Sequence, residues 1–199
     1  YYDETNFNAS TTLGRLRGTT DGYMDNVHAL RNTYCADAVQ LVANSSAFAG
    51  IGYVMQTVSN AFNTLAFSVV RRTVLAGNYT FAHELGHNMG AAHDRANAGI
   101  KGAYSYSYGY QHRSPLPAWR TIMAYPCPGG CTRLNNWSTP ARTYNGYPMG
   151  VYYTASNSAD NVRTLNNTRV TFANFRQECA AVGCSSVVTS LWPVNTVRS

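Results

Sequence analysis

One short segment concentrates the side chains that bind metals. Residues 81–94 read FAHELGHNMGAAHD and hold three of the chain's five histidines. Successive residues of a helix turn by roughly 100°, so His83 and His87 share one face and Glu84 lies beside them. The apolar Leu85 falls on the opposite side, where it can pack on a core. The spacing predicts a helix that presents two imidazoles and a carboxylate rigidly.

A glycine and a third histidine complete this pattern. Zinc catalysis needs three protein ligands and a water in the fourth position. Gly90 can leave the right-handed helical region without steric cost, so it can end the helix and let the chain return with His93 as the third ligand. A dication on three neutral imidazoles lowers the pKa of its water toward ~7, and Glu84 can act on that water as general base. The predicted chemistry is metal-assisted hydrolysis of an amide.

Composition narrows the class of protein. The chain has 199 residues, 45% of them hydrophobic and 12% charged, which is typical of one globular domain. The net charge is +6, but Lys101 is the only lysine and the arginines are scattered, which argues against nucleic-acid binding. No apolar run approaches the ~20 residues of a membrane span. No leader precedes Tyr1, so either a leader was removed or the chain is a piece of a longer precursor.

The cysteines indicate an oxidising compartment. Four of the five form close pairs, Cys127 with Cys131 and Cys179 with Cys184, and we expect two short disulfides. Cys35 then remains, and its apolar segment favours a buried thiol over a nucleophile.

The first half of the chain alternates helical and extended patterns. Two glycines in the second of three apolar runs are expected where another backbone approaches closely, so this run is a candidate edge for a bound peptide. The predicted elements are a helix from about Asp21, strands within residues 36–43, 49–55 and 66–74, and the motif helix from near Thr80.

The second half changes character. After Asp94 the sequence is rich in Gly, Pro, Tyr and Asn and has little periodicity, so it is predicted to be mostly loop. The apolar spacing within residues 159–179 predicts a closing helix in its second part, capped by Thr168 or Thr171. Residues 185–199 are expected to be an extension.

The remaining aromatic and imidazole side chains give weaker signals. The tyrosines of residues 102–110 alternate at the strand period, which predicts one packed face of an extended segment, with substrate contact as the alternative. His28 and His112 have no partner pattern and are expected on a helix surface and in a loop.

Two motifs together resemble a known family. HELGHNMGAAHD is similar to the extended zinc signature of the metzincin peptidases, and TIMAYP, residues 121–126, resembles their Met-turn. The resemblance implies that Met123 supports the histidines from below. Asp94 follows the third histidine as in the reprolysin or adamalysin branch, where it braces the site without binding metal. Tyr125 matches a tyrosine near the metal in astacins and serralysins; it is either an oxyanion hydrogen-bond donor or an ordinary packed tyrosine.

Further segments are similar to bacterial peptidyl-Asp metalloendopeptidases across most of residues 10–178, among them ADAVQLV, GIGYVM, FSVVRR, WRTIMAY and WSTP. The resemblance implies that an edge strand binds substrate antiparallel through main-chain hydrogen bonds. The candidate residues of this strand are Gly50, Ile51, Gly52 and Tyr53.

The same resemblance implies a fold and a domain plan. The fold class is α+β (α/β), a zincin fold with a twisted, mostly parallel sheet, an antiparallel edge strand, the active-site helix, and a loop-rich part holding the Met-turn and closing helix. Residues 1–184 form one catalytic domain, with a cleft between an upper part, about 1–90, and a lower part, about 91–184. Residues 1–20 are too short for the usual opening strand, helix and strand, so we expect an N-terminally incomplete domain.

The sequence leaves substrate preference and three function hypotheses open. An acidic residue after the scissile bond needs a cationic pocket, for which Arg120, Arg133 and Arg142 are the candidates. The leading hypothesis is a secreted, monomeric endopeptidase with one catalytic zinc ion and polypeptide substrates. The alternatives are a non-catalytic binding module stapled by zinc and a toxin-like peptidase of narrow specificity. Glu84 argues against the module, because a structural zinc site has no use for a base.

Overall fold

The computed structural model of the chain describes Glu4 and residues 7–44 and 48–177. Short 3-10 segments lie at Asn60–Leu65 and Arg72–Val74. The helices and strands, in chain order, are α1 Ala9–Arg17, α2 Asn26–Thr33, β1 Val39–Ala43, β2 Gly50–Gly52, β3 Phe67–Arg71, α3 Thr80–Asn88, β4 Ala92–Asp94, β5 Tyr108–Gly109, β6 Gln111–His112, β7 Trp119–Arg120, β8 Thr132–Arg133, β9 Thr139–Tyr144, β10 Tyr147–Met149 and α4 Asn161–Phe172.

A three-stranded sheet, in the order β1-β3-β2, organises the first half. Strand β3 pairs parallel with β1 and antiparallel with β2, so the predicted antiparallel edge strand is present. The central strand is buried from Phe67 to Val70, which fits its unbroken apolar sequence. Strand β1 is only partly buried, and Val42 is 45% exposed.

One face of this sheet is covered by α1, a helix that the sequence did not predict. Asn8 caps it by accepting a hydrogen bond from the Thr11 amide at 2.9 Å. Leu13 and Leu16 pack from the helix onto Phe67 of the sheet, and all three side chains are buried. The sequence predicts that the following helix starts near Asp21, about one turn before its observed start at Asn26.

The opposite face of the sheet is covered by α3, which begins at Thr80 as predicted. Asn88, fully buried at the end of this helix, fixes it to two strands. Its side-chain amide donates to the Tyr53 carbonyl at 2.8 Å and to the Phe67 carbonyl at 3.3 Å. The metal-binding face of the helix is therefore held at a defined height above the edge strand.

Between β4 and α4 the chain consists of turns and short strands, where the sequence predicts mostly loop. The tyrosine-rich segment is not one extended strand: Tyr104 and Tyr106 stack at 5.0 Å within a turn, and only Tyr108 lies in β5. His112 is not a loop residue. It is buried in β6 and stacks on Trp119 at 5.0 Å.

The closing helix α4 begins earlier than predicted. Asp160 is its N-cap and accepts a hydrogen bond from the Arg163 amide at 3.1 Å. Thr168 is therefore not a cap; it is fully buried within the helix and donates to the Met89 carbonyl at 2.9 Å, which ties α4 to the end of α3. Thr171 also lies inside the helix.

The described residues contain the predicted disulfide between Cys127 and Cys131. Cys35 is disulfide-bonded, so the expectation of a buried thiol is wrong. The predicted pair of Cys179 with Cys184 and the extension at residues 185–199 lie outside the described residues. Within the described chain, no helix combines the length and the apolar character needed to cross a membrane.

Candidate metal centre and active site

Three imidazoles converge at the base of a cleft. Nε2 of His93 lies 3.2 Å from Nε2 of His83 and 3.1 Å from Nε2 of His87. Zinc bound tetrahedrally at 2.0–2.1 Å separates its ligand nitrogens by about 3.3 Å. The arrangement therefore fits a zinc ion held by the three histidines that the motif spacing predicts.

Backbone carbonyls orient the two helical histidines. Nδ1 of His87 donates to the Ala91 carbonyl at 2.8 Å, so its Nε2 is an unprotonated acceptor that faces His93. Nδ1 of His83 lies 2.9 Å from the Ile122 carbonyl and 2.8 Å from Nη2 of Arg133, and its Nε2 also faces His93. Lone pairs brought this close together repel each other unless a cation lies between them, so the donor set itself points to a metal.

Burial keeps the three imidazoles neutral. It lowers the pKa of His83 well below its ordinary value and that of His87 to about 3, since the charged form loses its hydration. Burial also lowers the pKa of His93, and the nearby Asp94 partly offsets this effect. Because only neutral imidazoles bind metal, the site is prepared for a cation over a wide pH range.

Gly90 closes the helix as predicted. Its φ is +89°, and its amide donates to the His87 carbonyl while the next amide, of Ala91, donates to the Gly86 carbonyl. These two bonds form a Schellman motif. A Cβ at this glycine would also lie 2.6 Å from Cβ of Ala103, so both conformation and space require glycine here. The turn leads directly into β4, which carries His93.

Glu84 lies on the same helix and is only 3% exposed. No described residue donates a hydrogen bond to its carboxylate. Burial raises the pKa of Glu84 to about 8, and the guanidinium of Arg133 acts in the opposite direction. A cation at the histidines would lower this pKa further toward the ionised form that a general base requires.

Asp94 braces the segment opposite the helix rather than a histidine nitrogen. Its Oδ2 accepts the Tyr125 amide at 2.9 Å, and its Oδ1 accepts the Asn97 side-chain amide at 2.8 Å. The Tyr125 ring lies 4.4 Å from the His93 ring and is 44% exposed. One buried carboxylate thus fixes the position of Tyr125 relative to the third histidine.

Met123 packs against the helix that carries the motif. It is fully buried in a cluster with Ala91 and Ile122. Its sulfur lies 3.1 Å from the position that a Cβ on Gly86 would occupy, so it contacts the helix directly under the motif. The chain turns here, because the Ala124 amide donates to the Thr121 carbonyl.

Two of the three candidate arginines reach the cleft. Arg120 and Arg133 are register partners on the parallel strands β7 and β8, so their side chains emerge side by side. Arg142 lies exposed on β9, contacts Asn136 at 3.4 Å, and is not part of the cleft wall.

Sequence reasoning missed the contact that Arg133 makes with the metal centre. Its Nε donates to the Ile122 carbonyl at 3.1 Å, and its Nη1 donates to the Asn78 carbonyl at 2.6 Å. The Ile122 oxygen therefore lies within hydrogen-bond distance of both Arg133 and His83, and Nη2 of Arg133 is also 2.8 Å from Nδ1 of His83. Arg120 is less engaged: Nη1 donates to the Ala124 carbonyl, while the buried Nε has no partner among the described residues.

The edge strand β2 borders the cleft, and its residues alternate in role. Arg71 donates to the Ala49 carbonyl and Ile51 pairs with Val69, so these positions bond to β3. In an antiparallel ladder the intervening residues direct their main-chain groups to the other side. Gly50 and Gly52 therefore present their N–H and C=O groups at the open edge.

The cleft encloses about 600 Å³. The edge strand, the start of α3, the segment around Tyr125 and the two arginine strands contribute to its walls. The lining includes Gly50, Gly52, His83, Glu84, His87, His93, Arg120, Tyr125, Pro126 and Arg133.

A family model described as metallo-peptidase family M12 matches residues 2–138. The chain belongs to this family. The M12 match contains the whole metal centre and both strands that carry Arg120 and Arg133.

Curated relatives of this M12 chain include peptidyl-Asp metalloendopeptidases of Stenotrophomonas maltophilia strain K279a and Xanthomonas campestris pv. campestris. Each is 43% identical and aligns with 88% of the chain, which spans 41% and 39% of their respective lengths. One from Pseudomonas fragi is 35% identical, and the match covers 88% of both chains.

Among solved structures, one described as a chaperone-substrate complex matches with a TM-score of 0.57 and 19% identity. The match covers 85% of this M12 chain and 25% of that chain. At this identity the likeness concerns the fold alone.

Proposed function

We propose that the chain is a secreted zinc endopeptidase of metzincin type, and one observation carries this proposal. The Nε2 atoms of three histidines converge beside a buried carboxylate, Glu84, that has no hydrogen-bond donor among the described residues. A structural zinc site would use a fourth protein ligand and would not keep a base beside it. When bound, a zinc ion supplies Lewis-acid polarisation of the peptide carbonyl and lowers the pKa of water.

Glu84 moves the protons of the reaction. Its carboxylate takes a proton from the attacking water and then delivers it to the leaving amine, the usual duty of a positioned general base. Its burial supports this role, since a desolvated carboxylate near a cation has a strongly responsive pKa.

Tyr125 binds the developing oxyanion. The phenol is exposed to the cleft beside His93, and Asp94 fixes its backbone, so its hydroxyl can donate to a tetrahedral oxygen without a large rearrangement. An ordinary packed tyrosine would be more buried than 44% exposure allows.

Substrate binds as an added strand on β2. Gly50 and Gly52 carry outward main-chain groups at the rim of the cleft, with the two-residue spacing of an antiparallel ladder. Ile51 and Tyr53, the other predicted residues of this strand, hydrogen-bond to β3 and pack on the α1 side, so they support the strand.

Arg120 is our choice for an acidic side chain after the scissile bond. It lines the cleft, its Nε lacks a described partner, and burial lowers its pKa, so an anion would relieve a desolvated cation. Arg133 already donates to the carbonyls of Ile122 and Asn78, and the Ile122 carbonyl lies next to His83. The names of the curated relatives, peptidyl-Asp metalloendopeptidases, agree with an acidic preference.

We assign residues 1–184 to one monomeric catalytic domain with upper and lower parts divided near residue 90. The cleft that joins the α3 side to the Tyr125 segment supports this division. The Cys127–Cys131 disulfide supports an oxidising, extracellular location.

The decisive experiment maps the new termini formed in a denatured protein mixture. The zinc-loaded chain, a chelated sample and Glu84→Gln are compared, and the zinc content of each is measured. We expect many cuts that vanish in the chelated sample and fall by about 10²–10⁴-fold in Glu84→Gln, which keeps its zinc. Full cutting by zinc-loaded Glu84→Gln contradicts the mechanism. An intact, zinc-loaded native chain that makes no cuts indicates the binding module, and a single cut site indicates a narrow, toxin-like peptidase.

The pocket is tested by cleavage profiles of Arg120→Gln, with Arg142→Gln as a matched control outside the cleft. We expect Arg120→Gln to lose the acidic preference at unchanged zinc content, while Arg142→Gln keeps it. An unchanged profile in Arg120→Gln refutes this assignment.

A further inference from the structure

The edge strand contacts the proposed base directly. A Cβ built on Gly50 would lie 2.4 Å from Oε1 of Glu84 and 2.7 Å from its Cγ and Cδ. These separations are far inside van der Waals contact, and Cγ lies within the side chain and not at its free end. The carboxylate therefore occupies the space that a side chain at position 50 would need.

The second glycine of the strand is less crowded. A Cβ on Gly52 would lie 3.2 Å from Cβ of Ser68 and 3.3 Å from Oε2 of Glu84. A shift of a few tenths of an ångström would accommodate it. The two positions on one strand thus form a graded pair, severe at Gly50 and mild at Gly52.

Neither glycine is required by backbone conformation, since neither has a positive φ. Both lie in an extended strand, where alanine is an acceptable residue. The sequence pattern predicts that these glycines let a second backbone approach. Their contact with Glu84 gives a different reason for the absence of a side chain at these positions.

We infer that Gly50 is a positioning residue for catalysis. Because it has no side chain, it leaves the space that the Glu84 carboxylate occupies beside the three histidines. This inference rests on the proposed function of Glu84. Gly50 then has two roles. Its main-chain groups lie at the edge where substrate binds, and the space that a side chain would fill is occupied by the base.

The first test is a stability cycle that needs no catalysis. Melting temperatures are compared for the zinc-loaded native chain, Gly50→Ala, Glu84→Ala and the double variant. We expect Gly50→Ala to lower Tm by several degrees and to have little effect once Glu84→Ala has removed the carboxylate. An equal loss of Tm in both backgrounds overturns the inference.

The second test separates base positioning from substrate binding. We expect Gly50→Ala to keep its zinc and its KM and to lose about 100-fold in kcat, the scale of a misplacement of roughly 1 Å. Gly52→Ala is expected to lose less, and Gly77→Ala, whose Cβ meets nothing within 4 Å, to match the native chain. A raised KM with unchanged kcat in Gly50→Ala overturns the inference.

The proposed function can fail separately from this inference. Full activity of zinc-loaded Glu84→Gln would remove the base role and with it the catalytic part of the inference. The stability cycle would still report whether Gly50 and Glu84 exclude each other.

Discussion

The two faces of the β1-β3-β2 sheet differ in what they bury. The α1 face is closed by Leu13, Leu16 and their aliphatic neighbours, an apolar core. The α3 face buries His83, Glu84, His87 and Asn88, groups that are expensive to remove from water. Burial of the apolar face stabilises the fold. This stability offsets the cost of burying polar groups on the other face.

Edge strand β2 separates these tasks residue by residue. Ile51 and Tyr53 pack toward the α1 face, whereas Gly50 and Gly52 face Glu84 on α3. The alternation of side chains along a strand is the physical reason. Changes on one face are therefore expected to alter stability, and changes on the other to alter chemistry.

The largest effect is expected on the polar face. His87→Ala removes one of three metal ligands, so we predict loss of stoichiometric zinc and of activity by more than about 10³-fold. The metal-free variant is expected to keep the circular dichroism spectrum of the metal-free native chain, because the α1 face is untouched. Global unfolding of this variant would show that the two faces are not separable.

The next effect is expected on the apolar face. Leu16→Ala leaves a cavity where a side chain is 1% exposed, so we predict a loss of about 2–5 kcal/mol in the free energy of unfolding. The matched control is Leu30→Ala, at a leucine that is 47% exposed. Urea denaturation measures both. The kcat of Leu16→Ala is expected to stay near the native value under conditions where the variant is folded.

Acid is predicted to destabilise the metal-free chain through the polar face. Folding lowers the pKa of His87 from 6.5 to about 3, so the unfolded chain binds its proton first and stability falls as pH drops from 6.5 toward 3. His83 and His93 act in the same direction. Each such histidine contributes a slope of up to about 1.4 kcal/mol per pH unit.

Glu84 opposes this trend. Its pKa rises from 4.5 to about 8 on folding. Its contribution to the free energy of unfolding is therefore full below pH 4.5 and is lost as pH rises toward 8. Urea unfolding of the chelated chain at several pH values measures the net slope. We expect Glu84→Gln to remove the opposing part and steepen the acid loss between pH 4.5 and 6.5; an unchanged slope would contradict the burial of this carboxyl.

The smallest effect concerns the cap of α4, away from both faces. Asp160→Ala removes the acceptor of the Arg163 amide, so we predict a loss of about 1 kcal/mol in urea denaturation and unchanged zinc content. Asp21→Ala, in an exposed turn, is the control. A loss of zinc in Asp160→Ala would show that α4 positions the metal centre more strongly than its one bond to Met89 indicates.

Local patterns predicted the convergence of the three histidines. His83, His87 and His93 lie within eleven consecutive positions, where helical geometry and Gly90 determine their arrangement. The edge strand and central strand were also predicted, because apolar runs bounded by turns are local signals.

The rest depends on contacts between distant segments. Nothing near Arg133 indicates that it shares a carbonyl with His83, and nothing near Gly50 indicates that Glu84 fills its side-chain space. Helix α1 was missed because its stretch looked irregular without the sheet that Leu13 and Leu16 cover. The local pattern at Thr168 favours a helix cap, whereas its buried hydroxyl bonds to Met89, a residue distant in sequence.

The shared carbonyl of Ile122 limits how such a protein can diverge. One oxygen orients a metal ligand, His83, and anchors an arginine of the cleft wall, Arg133. A mutation of Arg133 would therefore also leave the Ile122 carbonyl, next to His83, without one of its hydrogen-bond donors. Arg120 makes no contact with the Ile122 carbonyl, so under the proposed function substrate preference can change at Arg120 without loss of that bond.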